Sequence, residues 1–260
     1  MAANERGYRA MYIMSNQLEI PRNTYQRDQQ PRRVQRMVKE FDERVANEPK
    51  VSFRNGRYYV FDGQHTIAAR VERNGGIPLP ILCKVYLGLS EQDEASLFAK
   101  QTGVSAPVAP GQRVRAEVFS GDPLYCNFLF ATEAAGAKID YDQRHGKNRI
   151  ACISTAFEEY QKIGDDKYRE AIRLLIDGWD GDPDSLRAET VKALCRFVDL
   201  YEGEYDRKRL VRQFRKVDPL FIVRNGRALS NTLPGYKKYL YQVIMLYNGR
   251  STQYVLPIKF

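Results

Sequence analysis

Apolar positions follow two rhythms along this chain, and the change between them falls after Gly103. Before it, short strand-like runs alternate with helical ones. Residues 11–20 (MYIMSNQLEI) read as a short strand entering a turn at Pro21. Residues 31–46 read as a helix: Pro31 suits a first turn, and Val34, Met37, Val38, Phe41 and Val45 recur at helical spacing. Two apolar runs, 51–53 and 58–61, flank Arg54-Asn55-Gly56-Arg57, and Asn-Gly between such runs predicts a hairpin. The second run leads directly into Asp62-Gly63-Gln64-His65 and a helix from Thr66 to Arg73, closed by Asn74-Gly75-Gly76. A strand over 81–86 follows. A helix then opens at Ser90 with a serine cap and early acids and runs to about Gln101.

Beyond Gly103 nearly everything reads as helix. The stretch Ala106-Pro107-Val108-Ala109-Pro110-Gly111 is the expected domain boundary. Helices are predicted at about 111–121, 123–136, 148–163, 165–179, 183–202, 206–217 and 235–247. The expected fold is therefore α+β: a small mixed-sheet domain over 1–105, then a mostly α-helical domain over 106–260 with a basic, tyrosine-rich end.

Composition sharpens this only in places. A hydrophobic share of 43% and a charged share of 28% suit a globular chain with its own core. No window approaches the roughly 18 uncharged apolar residues of a membrane span. The first residues lack a signal peptide's apolar core, so no membrane partner and a cytoplasmic location are expected. Cys83, Cys126, Cys152 and Cys195 are widely spaced among apolar neighbours, which fits buried thiols rather than a zinc site. No metal site is expected.

The net charge of +9 favours an anionic partner, and its distribution says more than its size. Arg22, Arg27, Arg32, Arg33 and Arg36 face one acid, Asp28, within residues 22–36. Residues 224–260 carry Lys237, Lys238, Arg250 and three further cations with no acid, interleaved with five tyrosines. Arg32, Arg33, Arg36, Lys237, Lys238 and Arg250 are thus the candidate nucleic-acid contacts, since cations meet phosphates and rings stack on bases. The plainer reading stays open: a solvated basic face on the first segment, and tyrosines that pack a last helix. Two other clusters read as loops. In Ile176 to Ser185 the acids Asp177, Asp180, Asp182 and Asp184 fail the spacing of a calcium loop, and Asp184 or Ser185 reads as a helix cap. His145 lies in a basic loop.

The segment with chemistry is the strand–Asp62-Gly63-Gln64-His65-Thr66–helix turn. Such a turn gathers backbone N–H groups and the positive end of a helix dipole at one point. Gly63 lets backbone approach a ligand, while Gln64, His65 and Thr66 supply donors. The alternative is local: Asp62 and Thr66 cap the helix and His65 is a satisfied polar side chain.

Residues 17–105 resemble the N-terminal domain of ParB-type partition proteins and, more distantly, sulfiredoxin. The likeness rests on Pro21-Arg22-Asn23-Thr24-Tyr25-Gln26-Arg27, then Pro31-Arg32-Arg33, then a hairpin delivering the glycine turn. The Asp62-Gly63-Gln64-His65 wording is nearest to the DGQHR group of ParB-like proteins, often found in phages and mobile elements. The resemblance implies nucleotide phosphates held by Asp62, Gly63, Gln64, His65 and Thr66, with Gln26 and Arg27 beside them, and a nucleoside triphosphate as ligand. The departures are specific. Gln64 stands where sulfiredoxin has its cysteine, which excludes cysteine redox chemistry at this turn. His65-Thr66 replace a double arginine. The glutamate–asparagine motif that helps hold magnesium falls at Lys100-Gln101, so the carboxylate is missing; two readings follow, Lys100 as a point charge for phosphate, or a turn that binds no triphosphate and serves as a scaffold. The implied role is a DNA-associated ParB-like protein that binds DNA or self-associates, as a homodimer, through its helical half. A nucleotide hydrolase or nuclease, and a non-catalytic interaction module acting on a host nucleic-acid system, are the alternatives. No catalytic residue is assigned.

Overall fold

The computed structural model describes residues 7–21, 24–26, 28–100, 109–229 and 231–260. The chain is α+β and forms two compact units, residues 1–122 and 123–260. The first is built on a five-stranded mixed sheet; the second is almost wholly helical.

The first unit begins with β1 (Arg9–Met14), a 3-10 turn and β2 (Leu18–Glu19), where a single strand was expected. Helix α1 (Pro31–Lys39) follows, then β3 (Lys50–Arg54), β4 (Arg57–Asp62), α2 (Gln64–Arg73), β5 (Pro80–Leu87), α3 (Glu91–Ala99) and α4 (Pro110–Ser120). The sheet order is β1-β5-β3-β4-β2. The β3–β4 hairpin is antiparallel and closes through Asn55 and Gly56, both with positive φ, as Asn-Gly predicts. The pair β3–β5 and the pair β2–β4 are parallel, and β1 pairs antiparallel with β5.

Alternation along β4 explains the layering. Val60 points into one cluster with Ile13, Val51, Ile67, Ile81, Cys83 and Val85, where α2 covers the sheet. The next residue, Phe61, enters a second cluster with Tyr25, Ala95, Phe98, Ala99 and Ala116, where α3 and α4 cover the other face. That second cluster also explains where the units divide. Ala116 and Phe119 of α4 pack on Tyr25 and Phe98, so the helix after the proline-rich stretch stays with the sheet. The division falls at Asp122, later than residues 106–111.

Helix α1 stops at Lys39 rather than near 46, because Asp42 turns the chain: its carboxylate accepts from the Arg44 backbone N–H at 2.9 Å. Helix α3 has the expected start. Ser90 and Asp93 form a reciprocal capping box.

The second unit comprises α5 (Pro123–Ala134), two short parallel strands β6 (Lys138–Ile139) and β7 (Arg149–Ile150), α6 (Ile153–Ile163), α7 (Asp165–Trp179), α8 (Ala188–Leu200), α9 (Arg207–Phe214), α10 (Phe221–Ala228) and α11 (Lys237–Asn248). Helix α8 is buried on most sides, with Val191, Leu194, Cys195, Phe197 and Val198 in the core. Its start is Ala188, not 183, and Asp184 does not cap it. Asp184 instead pairs with Arg187 at 2.6 Å, and the Ser185 hydroxyl donates to the Asp182 carbonyl. Helix α10 was not expected from sequence, where no element was read between 217 and 235. Gly226 is needed inside that helix: a Cβ there would stand 2.3 Å from the Tyr239 ring of α11. No helix among the described residues is long and apolar enough to cross a membrane.

Candidate functional site at the Gly63 turn

The turn between β4 and α2 is fixed from below by steric demand. Gly63 has φ +92°, and a Cβ there would lie 3.0 Å from the Pro49 Cα. Only glycine fits that combination without displacing backbone. Gly63 is itself the residue that precedes the helix, and no side chain caps α2. Asp62 is therefore not a cap; it pairs with Lys50 at 3.1 Å.

Gln64 and His65 form the first helical turn and are both buried. His65 holds the chain entering α1: its Nε2 accepts from the Gln30 backbone N–H at 3.2 Å. In that bond Nε2 is the acceptor. Gln26, also buried, comes to the same place from the other motif. Its Nε2 donates to the Val60 carbonyl at 2.8 Å, and its Oε1 lies 3.5 Å from the Gln64 Nε2. Thr66 is half-buried on the same helical turn. The segment 24–26 and the turn, far apart in sequence, are thus one assembly. Arg27 lies outside the described residues, as do Arg22 and Asn23.

Lys100 ends α3 and is exposed. It makes no hydrogen bond or ion pair to the turn; its charge acts on Glu117 of α4, whose carboxyl burial pushes up and Lys100 partly restores. Gln64 also borders a cleft of about 630 Å³ between α1 and α2, whose apolar wall includes Leu18, Ile20, Val34, Ile67 and Val71. That volume is in the range of small-ligand pockets.

What holds segment 24–26 in place is a buried network that sequence reasoning missed. The Tyr25 hydroxyl donates to Glu94 Oε2 at 2.8 Å, and Arg54 Nε donates to Glu94 Oε1 at 2.8 Å. Tyr25 and Glu94 are fully buried, while Arg54 lies over the Tyr59 ring at 3.8 Å and reaches Glu91 at 3.5 Å. Burial, then the neighbouring Glu94 carboxylate, pushes the Tyr25 phenol well above its ordinary range. The signal was available: Glu94 shares a helical face with Ala95 and Phe98, an acid where the period calls for an apolar residue.

A family model described as "Family of unknown function (DUF6551)" matches residues 20–260. The chain belongs to the DUF6551 family. No curated protein and no solved structure matches it. The family match starts just before Pro21 and so takes in both halves of the turn assembly and the whole of the second unit.

The remaining cations named from sequence lie elsewhere. Arg32 and Arg36 are exposed on α1, and Arg33 is half-buried there. Lys237 and Lys238 are half-buried on α11, with Lys237 Nζ 6.0 Å from the Phe260 ring centre and Lys238 Nζ 5.1 Å from that of Tyr239. Arg250 is exposed. Two of the interleaved tyrosines serve the bundle: Tyr239 and Tyr247 are buried, and the Tyr247 hydroxyl accepts from the Asp206 backbone N–H at 2.9 Å. His145 is exposed in its loop, its backbone N–H donating to Asp140. The acids of 177–184 are taken up by cations or turns: Asp177 by Arg207, Asp180 by Lys147, Asp182 by the Asp184 N–H.

Proposed function

We propose that this chain is a DNA-associated, ParB-like protein whose first unit takes a phosphate-bearing ligand, a nucleotide, at the Gly63 turn. The observation that carries the reading is the convergence of Gln26 with Gln64 and His65 at the start of α2, beside a cleft of about 630 Å³. Backbone N–H groups at a helix start favour an anion, and the carboxamides add neutral donors. The acid of the turn, Asp62, is paired with Lys50, which favours a binding role over metal-assisted hydrolysis. DNA association draws on the net charge of +9 and on the exposed Arg32 and Arg36 of α1, which pair with no acid among the described residues.

A thermal-shift panel of nucleoside triphosphates, each with and without magnesium, tests the pocket. A ligand at 100 times its Kd stabilises by about 2.7 kcal/mol. The expected result is a shift with at least one nucleotide in the magnesium-free arm, diminished in Gln64→Ala. No shift with any of them sinks the pocket. A duplex-DNA titration at several salt concentrations tests the second half; absent or salt-independent binding sinks it.

A further inference from the structure

We propose that the outward face of α9 is a docking site for the phosphate backbone of duplex nucleic acid; the proposal rests on the DNA-associated reading above and locates its interface. Residues 207–216 read RKRLVRQFRK, six cations and no acid. The apolar positions Leu210, Val211 and Phe214 are buried, and Phe214 stacks on Trp179 with ring centres 4.3 Å apart. That turns the cations outward in two sets. Arg207 pairs with Glu170 and Asp177, and Arg209 donates to the last carbonyls of α11, Tyr247 and Asn248. These two fasten the helix. Lys208, Arg212 and Lys216 are exposed and pair with no acid among the described residues, and Arg215 beside them donates only to the Asp177 carbonyl.

The free set is aligned. Lys208 and Arg212 stand one turn apart, about 6 Å along the axis, and Lys216 continues the line just past the helix end. A cleft of about 400 Å³ runs along this side, lined by Arg207, Lys208, Arg212 and Arg215 against two carboxylates, Asp177 and Asp206. Both acids are already engaged: Asp177 by Arg207, and Asp206 as the cap that accepts from the Arg209 N–H at 2.7 Å. The face is therefore positive with little local compensation. It is also held rigid, with the Trp179 indole N–H donating to the Val217 carbonyl at 2.9 Å and the Asp206 N–H donating to Tyr247. A rigid row of unpaired cations suits a polyanion with regularly spaced charge.

The test is the salt dependence of duplex-DNA binding by the full chain, read by fluorescence anisotropy between about 50 and 200 mM salt. Lys208→Ala/Arg212→Ala/Lys216→Ala removes the free set and puts alanine, the best helix former, on an exposed face. Three lost phosphate contacts lower the log–log slope by about 2.7, which makes the affinity drop across that salt range roughly 40-fold smaller. A control, Arg169→Ala/Arg187→Ala/Arg224→Ala, removes the same formal charge where each arginine is already paired with an acid; its slope is expected to stay at the wild-type value. Wild-type binding with an unchanged slope in the α9 variant overturns the α9 site and leaves the DNA reading standing. Equal losses in both variants reduce the effect to net charge and also overturn it. A wild-type chain that binds no DNA overturns both. Loss of binding to phosphatidylserine vesicles in the α9 variant, with the DNA slope intact, assigns the face to membrane surfaces and overturns it as well.

Discussion

Replacing Tyr25 by phenylalanine removes one oxygen from a ring that is otherwise untouched. The ring is fully buried and packs at 5.8 Å from Phe98 and 5.9 Å from Phe119. Those contacts survive the change, so the cost is confined to the hydroxyl. Its bond to Glu94 Oε2 is a hydrogen bond to a charged group, worth about 1.5–3 kcal/mol, and its loss leaves that oxygen buried without its partner. Arg54 still holds the other oxygen at 2.8 Å, which places the expected loss at about 2 kcal/mol. The pH dependence gives a second, independent reading. The Tyr25 pKa is raised in the folded chain, so the native state keeps its proton where the unfolded state gives it up. This stability is fully present below the unfolded phenol's ordinary value of 10.0 and is lost as pH rises above it. Urea denaturation at pH 7 and at pH 10.5 measures both effects. Tyr25→Phe should be less stable at pH 7 and decline less between the two pH values than wild type. A variant within about 0.5 kcal/mol of wild type at pH 7, with an identical alkaline decline, refutes the network's role in fastening segment 24–26.

Gly63→Ala combines a left-handed backbone with a 3.0 Å approach to Pro49, and should cost about 2–4 kcal/mol in urea denaturation. Gly56→Ala has φ +75° and nothing within 4 Å, so it should cost only about 1–2 kcal/mol; equal losses would remove the Pro49 contact from the argument. Gly226→Ala drives a methyl to 2.3 Å from the Tyr239 ring and should lower stability by about 1–3 kcal/mol, with a neutral result showing that α10 and α11 can separate freely. Burial pushes the Cys83 thiol up to about 11 and holds Cys195 well above its ordinary value, and the half-buried Cys152 is pushed up to about 12 by loss of solvent around its thiol. At pH 8 a thiol-disulfide reagent should therefore leave these three unmodified in the folded chain and label them only after unfolding; more than one fast thiol in the native state would contradict this burial.

Local chemistry was legible where one short segment decides the outcome. Asn55-Gly56 set the hairpin, Ser90 with Asp93 set the start of α3, and the strand–glycine–helix order set the turn. Sequence reading failed where the deciding contact lies outside the periodic pattern. Helix α1 continued on paper through Val45 because its period holds there, but Asp42 captures the backbone first. Helix α10 was not read at all, and its Gly226 answers to a ring on another helix, which no local pattern shows. The β6–β7 pair has two residues per strand, too few for any period. The site divides the same way. The turn residues were visible as a motif, whereas the Tyr25–Glu94–Arg54 network joins residues 69 and 40 positions apart.

The placement of charge then decides how an anion is to be handled. At the Gly63 turn the described donors are neutral: two carboxamides and an imidazole whose Nε2 accepts a hydrogen bond. The nearby lysine, Lys50, is tied to Asp62, and Arg70 of α2 is tied to Glu43 at 2.7 Å. Neutral donors hold a small anion by geometry, with an affinity that changes little with salt, because few counterions are exchanged. Among the described residues, Arg32 and Arg36 on α1 and Lys208 and Arg212 on α9 are exposed on helix faces and pair with no acid. Such faces bind by counterion release and respond steeply to salt. Salt concentration therefore separates the two proposed sites within one protein. Raising it from about 50 to 200 mM should leave any nucleotide-induced thermal shift nearly constant while DNA affinity collapses. If both fall together, the turn relies on long-range charge rather than on its own donors, and the roles assigned to Gln26 and Gln64 fail.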